Sequence, residues 1–212
     1  MTYLFDFDGT LVDSMPDYVS AMLRILDDFH IPYGDDIVQT ITPLGTVGTA
    51  EYFISLGVPR TKEQIFVLMG EGMIRAYRDV IPAKAEVIST LQKLKERGDR
   101  MSVLTASPHV TLDPCLKRLG IFDLFDHVWS CDDFATTKAD PEIYSMAAKK
   151  LGKDVGEVLF CDDNFNACST AKKAGMKVCG VFDESSAHDR ERMKATFDCY
   201  IHTFSELLDI QI

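Results

Sequence analysis

The chain has 212 residues, a formal net charge of −11 and a hydrophobic content of 46%. That is ample material for a buried core and too apolar for a disordered chain. The acidic balance disfavours nonspecific binding to nucleic acid or to an anionic membrane surface, and an anionic ligand must be drawn in by a local cation or a metal.

No uninterrupted apolar run is long enough for a membrane span. Asp6 and Asp8 interrupt the N-terminal stretch and no basic residue precedes it, so it is not expected to be a secretory signal. The six cysteines, Cys115, Cys131, Cys161, Cys168, Cys179 and Cys199, show no CxxC spacing. Buried free thiols in a reducing cytoplasm are expected, ahead of disulfides or a zinc site.

In chain order, Tyr3-Leu4-Phe5 reads as a buried strand. It leads directly into Asp6-Phe7-Asp8-Gly9-Thr10. Residues two apart on an extended chain share a face, so Asp6 and Asp8 should project together at the strand's carboxyl end. Gly9 permits a sharp turn and close approach to a ligand. From Pro16 to Arg78 the pattern is helical. Tyr18, Met22, Ile25, Leu26 and Phe29 fall on one face of a helix that Ser14 can cap, and Ala50–Leu56 and Glu63–Tyr77 follow. Gly45-Thr46-Val47-Gly48-Thr49 is expected to break this block, either as a loop facing a substrate or as a plain linker. It lacks a P-loop lysine.

Beyond Ala83, helix and strand signals alternate. Helices are predicted over Glu86–Glu96, His109–Leu119, Pro141–Leu151 and Ala167–Ala174, with a short one over Ser205–Leu208. Strands are predicted over Met101–Leu104, His127–Trp129, Val158–Cys161 and Lys177–Val181. This alternation predicts an α/β fold: a doubly wound, Rossmann-like parallel sheet core with an inserted all-helical domain. The core is assigned to residues 1–15 and 80–212 and the insertion to residues 16–79. No internal repeat or low-complexity tract is present.

Ligands of such sheets bind beyond the carboxyl ends of the strands. There the sequence gathers Asp6 and Asp8, then Thr105-Ala106-Ser107, then Thr136-Thr137-Lys138 ahead of a helix, then Asp162-Asp163. A hydroxyl and a lysine can hold a phosphate. Carboxylates from two strands can hold Mg²⁺. A free carboxylate can attack phosphorus and form an acyl phosphate.

Asp6-Phe7-Asp8-Gly9-Thr10-Leu11-Val12-Asp13-Ser14 resembles the first motif of the haloacid dehalogenase superfamily. Thr105, Lys138 and Asp162-Asp163 match its second, third and fourth motifs in order, and Ala174-Gly175 fits the pattern that follows. The resemblance spans nearly the whole chain. It implies Asp6 as nucleophile, Asp8 as general acid and then base, and Lys138 as the group that neutralises nucleophile and phosphate. It implies Thr105, with the amides of Ala106 and Gly9, as the phosphate-binding set. Mg²⁺ would be held by Asp6, the backbone carbonyl of Asp8, and Asp162, supported by Asp163. The helical insertion would be a cap that closes over the site. The third motif departs from Lys-Pro-x-Pro at Ala139, which puts the stiffness of that loop in question. Asn166 replaces a frequent third acidic residue of the fourth motif.

The implied activity is Mg²⁺-dependent hydrolysis of a small phosphorylated metabolite, in the phosphoglycolate-phosphatase-like branch, by a cytoplasmic monomer or homodimer with no nucleic-acid or membrane partner. The alternatives are a phosphosugar mutase resembling β-phosphoglucomutase and a noncatalytic phosphate-binding or receiver-type module. A mutase needs cationic groups for a second phosphate. Arg60, Lys62 and Arg75 are available, but Thr42–Thr49 has no basic residue. Asp8 disfavours a dehalogenase. Asp162-x-Asn164-x-Asn166 opens like an EF-hand, but Ala167 and Lys173 occupy the positions that need Gly and Glu. His109 is expected either to line the site or to start a solvated helix.

Overall fold

The computed structural model describes residues 1–41 and 44–211. The chain divides into two compact units, one comprising Met1–Asp13 with Pro82–Ile212 and the other Ser14–Ile81. The first unit holds a six-stranded sheet built from β1 (Thr2–Phe5), β2 (Arg100–Thr105), β3 (His127–Ser130), β4 (Val158–Asp162), β5 (Lys177–Val181) and β6 (Cys199–Ile201). The order is β3-β2-β1-β4-β5-β6 and every neighbouring pair is parallel. The chain runs outward from β1 to β3, then returns to place β4 against the other side of β1. That reversal opens a crevice at the carboxyl ends of β1 and β4, where a doubly wound sheet binds its ligand.

The Ser14–Ile81 unit is helical: α1 (Met15–Asp28), α2 (Ile37–Ile41), α3 (Gly45–Ser55) and α4 (Lys62–Asp79). Met22, Ile25 and Leu26 of α1 are buried with Ile65 and Met69 of α4 and with Phe53 of α3, forming this unit's own core. Thr61 starts α4 with a capping box, its hydroxyl accepting from the Gln64 N–H at 3.3 Å while the Gln64 side chain accepts from the Thr61 N–H at 3.0 Å. Two sequence expectations are corrected. Gly45–Thr49 does not break the block but forms the first turns of α3, where burial of Thr49, Ala50 and Phe53 outweighs the low helix propensity of glycine and threonine. Ser14 stands at the cap position of α1 without a side-chain cap bond; its carbonyl accepts from the Tyr18 N–H at 2.9 Å. Thr42 and Pro43, the start of the expected Thr42–Thr49 loop, lie outside the described residues.

In the sheet unit, α5 (Val87–Glu96), α6 (His109–Arg118), α7 (Glu142–Leu151), α8 (Phe165–Lys173) and α9 (Arg190–Thr196) follow. Strands buried on both faces need near-continuous apolar runs, and β1 is buried at every position. Leu4, Leu104, Phe160 and Val178 form one face of the sheet and share a core with Tyr144, Ala147 and Leu151 of α7, Cys168 and Ala171 of α8, and Met193 of α9. On the opposite face, Tyr3 and Phe5 stack at 5.4 Å and Phe5 meets Phe125 and Phe204. All six cysteines are unpaired thiols, and all but Cys199 are buried. Cys161, Cys179 and Cys199 sit side by side in register on β4, β5 and β6. Burial pushes the Cys161 thiol up, away from the reactive thiolate.

Candidate active site

The site begins with β1. The Asp6 N–H donates to the Cys161 carbonyl at 2.8 Å, so the β1–β4 pairing continues one step past the strand and carries the Asp6 side chain to the sheet edge. The chain then turns sharply. Leu11 and Val12 donate to the Phe7 carbonyl at 2.8 and 3.0 Å, and Gly9 adopts φ +73°. A side chain at Gly9 would meet both this backbone strain and the Asp163 carboxylate, whose atoms lie 2.6–2.7 Å from where a Cβ would stand. Thr10 bonds across to the same residue: its hydroxyl donates to Asp163 Oδ1 and accepts from the Asp163 N–H, both at 3.2 Å.

The structure brings the expected residues into one cavity of about 400 Å³, lined by Asp6, Asp8, Thr105, Ala106, Lys138, Asp162 and Asp163, with Ala139 and Asn166 also on its wall. Gly9 is not among the lining residues and acts through its turn. Lys138 donates to Asp6 Oδ1 and to Asp162 Oδ2, the latter at 2.8 Å. Asp162 is fully buried, and its second oxygen accepts from the Asn164 N–H at 2.7 Å. Asn164 also caps α8 through the Asn166 and Ala167 amides, so the helix start and the Asp162-Asp163 loop are fixed together.

The third-motif loop is well tied despite Ala139. Tyr144 donates its hydroxyl hydrogen in bonds to the carbonyls of Lys138 at 3.1 Å and Ala167 at 3.0 Å. Asp140 accepts from the Thr136 hydroxyl at 3.1 Å and from the Glu142 N–H at 3.0 Å. Side-chain bonds thus supply the order that prolines would give. On the β2 side, Ser107 donates through its hydroxyl to Asp8 Oδ2 at 2.5 Å and through its N–H to the Thr105 hydroxyl at 3.0 Å. Ser107 belongs to the Thr105-Ala106-Ser107 stretch that the sequence gathers at the sheet edge but carries no assigned role there, and Tyr144 is a contributor that the sequence does not single out. Ser107 lies only two residues past Thr105, but nothing in the sequence shows that it faces Asp8.

Charge decides what the site can hold. Carboxylate oxygens of Asp6, Asp162 and Asp163 lie within 4.8 Å of one another. Burial pushes the Asp6 carboxyl well up, Lys138 opposes this, and the charges of Asp162, Asp163 and Asp8 add to it. Asp163 is pushed up to about 7 by burial and by the charges of Asp162 and Asp183. Burial works against the Lys138 charge, but Asp162 and Asp6 outweigh it and hold the ammonium firmly protonated. One ammonium thus faces a surplus of buried negative charge, and an all-oxygen donor set of this kind fits a hard divalent cation.

His109 does not line the cavity. Its Nδ1 pairs with Asp113 and its Nε2 with Asp133, both at 2.8 Å, bridging α6 to the turn after β3. The bonds to Asp113 and Asp133 raise its pKa. The folded state therefore binds this proton more tightly than the unfolded chain. The stabilisation is complete below about pH 6.5, the unfolded value, and is lost as pH rises through the native value. With the ring half exposed, about 0.3–1 kcal/mol is expected. Urea titrations should show wild type exceeding His109→Gln at pH 6 and the two converging by pH 9. A gap that widens with pH would contradict the pairing.

These features mark a hydrolase of known type: the chain belongs to the haloacid dehalogenase-like hydrolase family, which it matches over residues 1–175. It is similar to pyrophosphatase PpaX of Bacillus velezensis, at 30% identity over 84% of this chain and 81% of that one. It is also similar to a phosphoglycolate phosphatase of Pasteurella multocida, at 27% identity over 84% and 83%. Among solved structures, a Thermotoga maritima protein provisionally assigned as a beta-phosphoglucomutase superposes with a TM-score of 0.84 at 22% identity, covering 98% of this chain and 96% of that one. At that identity the likeness establishes the fold.

Proposed function

We propose that this protein is a Mg²⁺-dependent phosphomonoesterase that hydrolyses a small phosphorylated metabolite through an aspartyl phosphate on Asp6. The observation that carries the reading is the convergence of Asp6, Asp162, Asp163 and Lys138 on one cavity. The phosphatase names of the two curated relatives support it.

In this mechanism an Asp6 carboxylate oxygen attacks phosphorus as the ester oxygen departs. Asp8 gives that oxygen its proton, then takes one from the water that attacks the phosphoenzyme, releasing inorganic phosphate and restoring Asp6. Ser107 holds Asp8 in place between these steps. Thr105 and the amides of Ala106 and Gly9 hold the phosphoryl oxygens, and Lys138 offsets the charge of nucleophile and phosphate. Asp6, the Asp8 carbonyl and Asp162 would hold Mg²⁺ with support from Asp163; when bound, it neutralises charge on the transferring group. Phosphomonoester hydrolysis asks for about 20 kcal/mol of barrier lowering, which no single one of these residues supplies. As further proposals, Ser14–Ile81 is the cap, the unit that selects the substrate, and the unpaired thiols fit a reducing, cytoplasmic compartment.

A screen of phosphorylated metabolites with and without Mg²⁺ tests the reading. Phosphate release that requires Mg²⁺ is expected for at least one compound. Release from none, with Mg²⁺ still bound, would favour the noncatalytic alternative. A bisphosphorylated sugar separates hydrolysis from mutase chemistry: inorganic phosphate is expected, and an isomer without it would overturn hydrolysis.

A further inference from the structure

Lys84 lies in the short segment between Pro82 and α5, and the mechanism gives it no part. Its ammonium donates to the Gly9 carbonyl at 2.6 Å, to the Phe182 carbonyl at 2.6 Å and to Asp183 Oδ2 at 2.8 Å. A lysine has three donors, and all three are used. The side chain is only 19% exposed and that of Asp183 only 7%. Asp183 is itself fixed, since its other oxygen accepts from the Ser185 N–H at 2.9 Å and the Ser185 hydroxyl at 2.5 Å. Burial would raise the Asp183 carboxyl, but Lys84 and Ser185 outweigh it and hold it below the usual carboxylate range. The Lys84 main chain grips the same turn, its N–H donating to the Leu11 carbonyl at 3.0 Å.

We propose that Lys84 is a positioning residue for the reaction, tying the Gly9 carbonyl to the end of β5 and thereby fixing the turn that presents Asp6 and Asp8. The inference rests on the phosphatase reading for its catalytic meaning. Three features separate it from an ordinary buried ion pair. The acceptor on the turn is the carbonyl of the residue that directly follows Asp8. Thr10 on Asp163 holds the turn from the β4 side and Ser107 on Asp8 from the β2 side. Lys84 holds it from the β5 side, which neither of those bonds reaches. Without the ammonium, the Gly9 carbonyl loses a charge-assisted bond, and Asp183 is left buried without its cation.

Lys84→Met keeps the bulk of the stem and removes the donors. Relative to wild type, kcat should fall by about tenfold or more with KM within about twofold, the size expected for losing a charge-assisted hydrogen bond. Hydrogen exchange in a peptide spanning residues 6–12 should speed up by a similar factor. Lys84→Ala opens space beside a cleft of about 370 Å³ that Lys84 helps to line. Added ethylammonium should there recover part of the lost kcat and exchange protection, while ethanol recovers neither. Asp183→Asn keeps the ammonium on Gly9, and should lower stability while leaving kcat within about threefold.

Wild-type exchange over residues 6–12 in Lys84→Met overturns the proposal. So does a kcat loss in Asp183→Asn equal to that in Lys84→Met, which would make Lys84 a stabilising partner only. If wild type releases phosphate from nothing, the phosphatase reading fails, and the exchange measurement still decides whether Lys84 holds the turn.

Discussion

Asp6→Asn is expected to reduce turnover by about 10⁴-fold or more, about 5.5 kcal/mol of lost transition-state stabilisation, while leaving the fold intact. The two side chains have nearly the same shape, so packing at the end of β1 is conserved. The amide oxygen of asparagine carries no negative charge and cannot form the acyl phosphate. The fold should tolerate the change because Asp6 stands in a surplus of buried negative charge. Its neutral replacement relieves repulsion with Asp162 and Asp163, and Lys138 keeps its bond to Asp162. The checks are steady-state kinetics with a responsive phosphoester and the thermal midpoint without added metal. A variant within tenfold of wild type would rule out covalent catalysis at Asp6.

Lys138→Ala should be damaging in two ways at once. Activity should drop by about 10³-fold, because the ammonium is the only side-chain cation lining the cavity among the described residues. Stability should drop by about 3–5 kcal/mol, because Asp162 is fully buried and Asp6 nearly so, and both lose their counter-charge. The second effect yields a sharper measurement. Mg²⁺ should raise the thermal midpoint of Lys138→Ala by more than it raises that of wild type, since Asp6 and Asp162 have lost the ammonium that bonds to both of them. A smaller Mg²⁺ response in the variant would mean that the ammonium and the metal do not share these oxygens.

The strands that carry the site were legible because burial on both faces leaves an uninterrupted apolar run, as at Tyr3-Leu4-Phe5 and Val158–Cys161. The carboxylates were legible because they stand at the ends of those runs. Elements with little buried surface were not. α9 buries only Met193, β6 has three residues, and α2 has five, so none yields a periodic signal. Gly45–Thr49 was misread because local propensity carries no information about the contacts that bury Thr49 and Ala50. Lys84 was invisible for another reason. Its partners are two backbone carbonyls and a carboxylate 99 residues away, and no spacing rule marks a lysine that bonds to main chain across the fold.

The pairing that follows the Asp6–Asp8 turn has a consequence for the modularity of this molecule. Val12 and Ala83 form an antiparallel bridge, and the Asp13 N–H donates to the Pro82 carbonyl at 3.0 Å. The outgoing and returning chains are therefore stitched together at the point where the intervening segment begins and ends. Exchanging that segment for a foreign one, or for a brief loop, should leave the spacing of those two anchor points in place. Chimaeras that retain the sheet while exchanging the helical unit should accordingly be made by joining sequences at Asp13 and Pro82.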